Sequence, residues 1–280
     1  MASRRKFLAT TVAGITVAGL YPFGTKANAL QAKQPGNKDF LQMGFAGYTF
    51  ANYTIEQSIA IMQRVGINTF SIKDFHLPLD STKEKMDEVI GKFSTAGITI
   101  YAAGVIYMKT EQEVDRAFDY AKRAGFAMIV GAPNYELLPY IEQKVKSLNI
   151  RLAIHNHGPE DKLYAGPKEV YDKIKDMDKR IGICLDIGHA TRAGVDPVQA
   201  VSLYATRIFD LHIKDGSAAV PDGKAIELGR GVIDIPALLK TLRKINYAGK
   251  CSIEYEKDMK DSVAGIAESV GFFRGVERAV

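Results

Sequence analysis

At 280 residues and 46% apolar composition the chain is long enough to bury one large core, and barrels of alternating strands and helices run to about 250 residues. A charged fraction of 25% is ordinary, which excludes bulk disorder. The formal net charge of +5 is concentrated at the start: residues 1–29 hold Arg4, Arg5, Lys6 and Lys26 and no acid, so the remainder carries +1 and gives no support to nucleic-acid binding.

Those first residues read as a signal for export. Arg4 and Arg5 precede an apolar run from Phe7 to Leu20, followed by Ala27-Asn28-Ala29. A charged start, a short apolar stretch and an A-x-A site, in that order, make a secretory signal. The paired arginines and the threonines and glycines in the run point to the twin-arginine route and a periplasmic destination. Fourteen residues fall short of the roughly 20 that a membrane span needs, so no stable membrane anchor is expected. The expected division is a signal over 1–29, a linker over 30–39 and one domain over 40–280.

From Asp39 onward short apolar runs alternate with longer amphipathic segments. The predicted strands are 41–46, 67–73, 98–105, 126–131, 150–157, 181–187, 207–214 and 250–256. The predicted helices are 54–65, 83–95, 110–124, 136–147, 167–176, 196–204, 235–245 and 263–278. Helix ends at Gly66, Gly97 and Gly125 each stand directly before a strand. Asp196-Pro197 and Asp234-Ile235-Pro236 have the form of an acid cap followed by a first-turn proline. Eight strand-then-helix units predict a parallel sheet closed into a single (β/α)8 TIM barrel. A doubly wound open sheet would want a G-x-G-x-x-G first turn, which Gly44-Phe45-Ala46-Gly47 does not supply.

Period-two reading of the late strands locates a site. If Phe209, Leu211 and Ile213 pack outward, then Asp210, His212 and Lys214 face the barrel axis. The same parity turns Ser252, Glu254 and Glu256 inward, along with Asp186, His155 and His157. Barrel enzymes place their chemistry at the C-terminal strand ends, where these residues fall. Bare charges buried there cost several kcal/mol unless paired or bound to a metal. His155, Asp186, His212 and Glu254 form a coherent set of ligands for one divalent ion. Mixed nitrogen and oxygen donors suit Mn, Co, Zn or Ni better than Mg. All five histidines, His76, His155, His157, His189 and His212, fall at or just past predicted strand ends and none within a predicted helix. Cys184 and Cys251 lie on the sixth and eighth predicted strands, too far apart for a bridge, so two free thiols are expected.

The strings AIHNHG, CLDIGH, DLHIKD and SIEYE, in this order and spacing, resemble the fifth to eighth strand ends of the xylose-isomerase-like barrel family, sugar and sugar-phosphate isomerases and epimerases among them. SIKDFHLP and GAPNYELL are similar in character. The resemblance implies metal ligation by Asp186, His212 and Glu254 and substrate contact by His189. Where many epimerases of the family have glutamate followed by Asn-His, this chain has His155-Asn156-His157, which leaves His155 as ligand or as general base. The implied chemistry is proton abstraction beside the carbonyl of a keto-sugar through a metal-stabilised enediolate. A lyase or hydratase acting on 3-keto-glycosides or inososes is the alternative. A non-catalytic carbohydrate-binding protein and a metal-dependent endonuclease are the other classes, the latter wanting a basic face and more metal.

Further candidates sit around this set. Lys73 could hold a substrate oxygen or pair with Asp74 or Glu256. His76 could contact substrate or cap its loop. His157 could contact substrate or be a hydrogen-bonded barrel residue. Lys214 could support the site electrostatically, and Glu256 could be a second acid/base or an ion-pair partner. Gly229-Arg230-Gly231 could hold a sugar phosphate or be a simple turn. The expected partner is a small-molecule carbohydrate, and a homo-oligomer is compatible with the sequence.

Overall fold

The computed structural model describes residues 41–280, so the expected export signal and the whole of the expected linker lie outside the described residues. Eight parallel strands run β1 Gln42–Ala46, β2 Thr69–Ile72, β3 Thr99–Met108, β4 Met128–Pro133, β5 Arg151–His155, β6 Ile181–Asp186, β7 Ile208–Ile213 and β8 Lys250–Ile253. Each pairs with its chain neighbours and β8 returns to β1, which closes the predicted (β/α)8 barrel. The connecting helices are α1 Ile55–Val65, α2 Lys83–Thr95, α3 Glu111–Ala124, α4 Leu138–Leu148, α5 Pro167–Ile174, α6 Ile187–Arg192, α7 Pro197–Leu203, α8 Ile235–Lys244 and α9 Val263–Ala279.

Local chemistry sets the helix ends. Thr54 and Thr110 each accept from the backbone three residues on, while Gln57 and Glu113 reach back to the cap N–H. Gly66, Gly97 and Gly125 all have positive φ, the conformation that ends a helix where a side chain would be strained. Asp196 and Asp234 cap α7 and α8 ahead of their prolines. Arg207 is buried at the foot of β7 and donates to the carbonyls of Lys175, Met177, Asp178 and Ile181, which pins the turn that launches β6.

The core has two parts. Leu152, Ile154, Ile183, Leu185, Leu211 and Ile213 pack outward in the large cluster shared with the helices. Inside the barrel the lower layer is small and apolar: Ala102, Met128, Val130, Ala153 and Cys184. Cys184 and Cys251 are both buried free thiols, as expected.

Three expectations are corrected. Phe209 does not pack outward. The β6–β7 register skips it, pairing Ile183 with Ile208 and then Cys184 with Asp210, and its ring lies over Gly182 with the inner cluster. A bulge thus gives two consecutive residues the same side, which strict alternation cannot. Second, β6 ends at Asp186 and the chain enters α6 at once, so His189 does lie within a helix. Third, the last strand stops at Ile253, leaving Glu254 to Glu256 in the loop that continues it.

His76 is also placed away from the barrel axis. It is buried between the rings of Phe70 and Phe75, centroids 5.5 and 4.6 Å away, and neither ring nitrogen has a partner. Burial pushes its pKa down to about 4. A buried neutral imidazole with a depressed pKa contributes stability that is complete above the unfolded value near 6.5 and is lost as pH falls through about 4. The full contribution is about 3 kcal/mol. His76→Leu should therefore flatten the fall in urea-unfolding free energy between pH 7 and pH 4.5. An unchanged pH dependence in that variant would contradict this account of His76.

Candidate metal centre and active-site cavity

Four side chains meet at the C-terminal mouth of the barrel. His155 closes β5, Asp186 closes β6, His212 lies on β7 and Glu254 follows β8. His155 Nε2 is 3.0 Å from His212 Nδ1 and 3.4 Å from Asp186 Oδ2, and His212 Nδ1 is 3.1 Å from Glu254 Oε2. One donor atom from each of the four lies within 4.8 Å of all the others, and all four residues are buried. Donors bound to one ion at about 2.1 Å stand roughly 3.0 to 3.4 Å apart in octahedral or tetrahedral geometry. Three of the spacings fall in that range and His212 Nδ1 to Asp186 Oδ2 is wider at 3.9 Å, so the set is compatible with a single divalent cation after a small adjustment.

Each donor is held by its surroundings. Asp186 caps α6 by accepting the His189 N–H at Oδ1, 2.7 Å, which leaves Oδ2 aimed at the cluster. Asn156 grips the backbone of the same residue twice: its Oδ1 accepts from Asp186 N at 2.9 Å and its Nδ2 donates to Asp186 O at 3.1 Å. It extends the β5–β6 pairing one step past its last backbone contact, at His155 and Cys184.

Charge inside the cluster is governed by Lys214. Its ammonium lies 3.0 Å from Asp186 Oδ2, 2.7 Å from Glu254 Oε2 and 2.8 Å from Glu256 Oε1, with the side chain 5% exposed. Burial is the largest single effect and would raise both carboxyl pKa values, yet Lys214 together with the surrounding imidazoles outweighs it and holds Asp186 and Glu254 well below the usual range. In return, the carboxylates outweigh burial and keep Lys214 charged. Burial pushes His155 down to about 3, so its imidazole is neutral and one of its two ring nitrogens can offer a lone pair. For His212 burial opposes the charge, but Cys184 and Glu254 raise its pKa well above the ordinary value, so a cation taken up there would displace a proton.

Cys184, with His155 and His212, makes a second possible donor group. Burial raises that thiol to about 12, which leaves it protonated and the carboxylates as the better ligands. Its inward parity with Asp186 was the available signal for this neighbour.

Above the cluster a cavity of about 270 Å³ is lined by His155, Glu254, Glu256, His157, His189 and Lys73, with Tyr48, Val105 and Tyr107 as outer walls. His189 Nε2 is 3.5 Å from Lys214 Nζ. His157 stacks on Tyr107, and its Nε2 is 2.9 Å from the phenol oxygen. Lys73 donates to Val105 O at 2.6 Å and lies 3.2 Å from Asp74. So Lys73, His157, His189, Lys214 and Glu256 all come to the site.

Two candidates do not. His76 is buried among aromatic rings, as described, and is absent from the cavity wall. Arg230 lies on the surface, with both guanidinium contacts made to Glu268 at 2.5 and 2.8 Å. The turn around it is folded on the buried Asp215 carboxylate, which accepts the N–H groups of Gly229, Gly231 and Ile233. Those donors are spent, and an anion is already in place, so this turn is not a phosphate cradle. Tyr48, Tyr107 and Asn156 were missed as site residues. Tyr107 sits past the predicted end of the third strand, which in fact runs to Met108.

The model of the xylose isomerase-like TIM barrel matches residues 55–276. Among solved structures, the chain is similar to a 3-keto-D-glucoside 4-epimerase from E. coli, with a TM-score of 0.68 and 17% identity over 84% of this chain and 99% of that one. It is equally similar to the IolI protein with a bound zinc atom, TM-score 0.68 and 16% identity over 84% and 96%. Of the curated proteins, an inosose dehydratase of Clostridium beijerinckii is 29% identical over 104 residues, 31% of this chain and 35% of the relative. The matched stretches span less than half the length of the curated relatives. The family match covers most of the chain: the protein belongs to the xylose isomerase-like TIM barrel family.

Proposed function

We propose that the protein is a divalent-metal-dependent enzyme that removes a proton next to the carbonyl of a keto-sugar and returns it, giving isomerisation or epimerisation. The observation that carries this reading is the convergence of four buried donors, all within 4.8 Å of one another, beneath a polar cavity. His155, Asp186, His212 and Glu254 would hold the cation, and the nitrogen–oxygen mixture favours Mn, Co, Zn or Ni. A bound cation supplies Lewis-acid polarisation of the carbonyl oxygen. Glu254, kept anionic by Lys214, accepts the substrate proton. Lys73, at the cavity wall, donates to the oxygen on which negative charge grows. His189 and His157 face the same space and position the sugar hydroxyls. Glu256, 28% exposed and paired with Lys214, is the second group able to carry a proton at the mouth.

A second reading is a lyase or hydratase on the same centre. It is favoured by His155, an imidazole in the position of one carboxylate of a two-carboxylate proton shuttle. It is also favoured by the Tyr107–His157 pair, an acid on the far wall that could protonate a departing oxygen. The similarity to an inosose dehydratase supports the same alternative.

We also propose that the enzyme works outside the cytoplasm, on the strength of Arg4-Arg5 and Ala27-Asn28-Ala29. Replacing Arg4 and Arg5 together by lysine should leave the protein in the cytoplasmic fraction, and unaltered periplasmic recovery would remove this part of the proposal.

The purified protein should carry about one transition metal per chain, and Glu254→Gln should lower kcat by on the order of 10²- to 10⁴-fold with an unchanged circular dichroism spectrum. Metal-free protein of undiminished activity, or a fully active variant, would sink the reading. Incubation with keto-sugars in D₂O should place deuterium on a carbon beside the carbonyl. Product of unchanged skeleton assigns the isomerase or epimerase, loss of water assigns the dehydratase, and no exchange with any keto-sugar counts against both.

A further inference from the structure

The inner cavity does not end at its aromatic wall. Lys73, Val105 and Tyr107 also border an outer cleft of about 570 Å³ whose floor and sides are Phe75, Pro78, Leu79 and Ile106. At about 270 Å³ the inner chamber is smaller than the roughly 300–1,000 Å³ of ordinary ligand pockets and suits one sugar ring. The outer cleft is twice as large and adds room for a second group.

Its lining mixes an apolar stretch with charged groups at the edge, and those charged groups have partners of their own. Lys73 is bonded to Val105 O and paired with Asp74, Arg116 lies 3.6 Å from Asp80, and Glu113 accepts the N–H groups of Lys109 and Thr110 at the start of α3. Between them lies a continuous stretch of hydrocarbon and ring surface from Phe75, Pro78, Leu79, Val105 and Tyr107. Among the described residues three aromatic side chains are exposed, Tyr48 at 43%, Phe75 at 45% and Tyr107 at 55%, and all three stand at this one mouth. Aromatic rings left in water beside a deep polar chamber mark a surface that is covered when ligand binds.

We infer that the substrate is a glycoside with an apolar or aromatic aglycone: the sugar occupies the inner chamber and the aglycone lies along Phe75, Leu79 and Ile106. This rests on the sugar-directed reading above and adds the substituent that the sugar carries. Phe75 and Leu79 line the outer cleft and not the inner chamber, so their contribution is to recognition of the outer half.

The test is titration calorimetry of the metal-loaded protein with glucose and with 4-nitrophenyl β-D-glucopyranoside, probes that need no turnover. The aryl glucoside should bind about tenfold more tightly or better, and Phe75→Ala and Leu79→Ser should each reduce that preference severalfold while leaving glucose affinity unchanged. Thermal melting confirms that each variant is folded, and Leu79→Ser stands in should the loss of Phe75 disturb His76. Equal affinity for the two probes, binding of neither, or a preference untouched by both variants overturns the inference. Failure to turn over any keto-sugar would instead strike the proposed reaction, because the binding preference is read without catalysis.

Discussion

The site depends on one compensation: a buried ammonium set among three carboxylates. Removing Asp186 and Glu254 from water would by itself make them protonate, and a neutral carboxyl is a poor metal ligand. Lys214, two residues beyond His212 on the same strand edge, reverses that outcome at distances of 3.0 Å or less. The same ammonium holds Glu256 at the mouth and approaches His189, so that β6, β7 and the loop after β8 are tied together through one charge. Removing either side of such a pair leaves the other buried and unpaired, a cost of about 3–5 kcal/mol. The polar interior is therefore a constraint on the fold as well as a reagent.

Backbone register delivers these groups to the same height. Asp186 stands beside His212, and His212 beside Ser252, with Glu254 two residues above. Beneath them the barrel is filled by small residues and by a hydrogen-bonded layer in which Tyr101 donates to Asp210 at 2.6 Å. Burial raises that carboxyl to about 6. This packed lower layer closes the bottom of the chamber above the donors, whose volume is about 270 Å³ and whose outer wall is built from β3 and the loops that follow β1 and β2.

Much of this was legible from the chain alone, for a physical reason. Strands alternate faces, and a charged or imidazole side chain on the inward face of a barrel has few places to be except a site. That logic located His155, Asp186, His212, Glu254 and Lys214 together. It failed where alternation itself breaks. The bulge beside Cys184 turned Phe209 inward, and no residue type announces a bulge there. His189 was assigned to a strand end because the first turn of α6 follows Asp186 without a linker; the cap formed by that carboxylate is both ligand support and helix start. His76 and Arg230 looked functional by type and position, but each had a partner that spacing does not reveal: a pair of phenyl rings for one, Glu268 for the other. Tyr48 and Tyr107 carried no polar pattern to single them out, since an aromatic past a strand end is as often core as wall.

Histidine at position 155 is then less a departure than an adjustment of charge. Asp186 and Glu254 bring two negative charges to the centre, which a divalent cation held there would cancel. Glu256 and Lys214 cancel one another. A glutamate in place of His155 would leave one negative charge in excess within a buried cluster, to be relieved by solvent, by a proton or by a further cation. The imidazole, held neutral by its burial, would complete a coordination shell without that excess. Under the proposed reaction, an imidazole here would also leave one carboxylate fewer for proton transfer, so the charge of the centre and its proton chemistry would meet at the same residue.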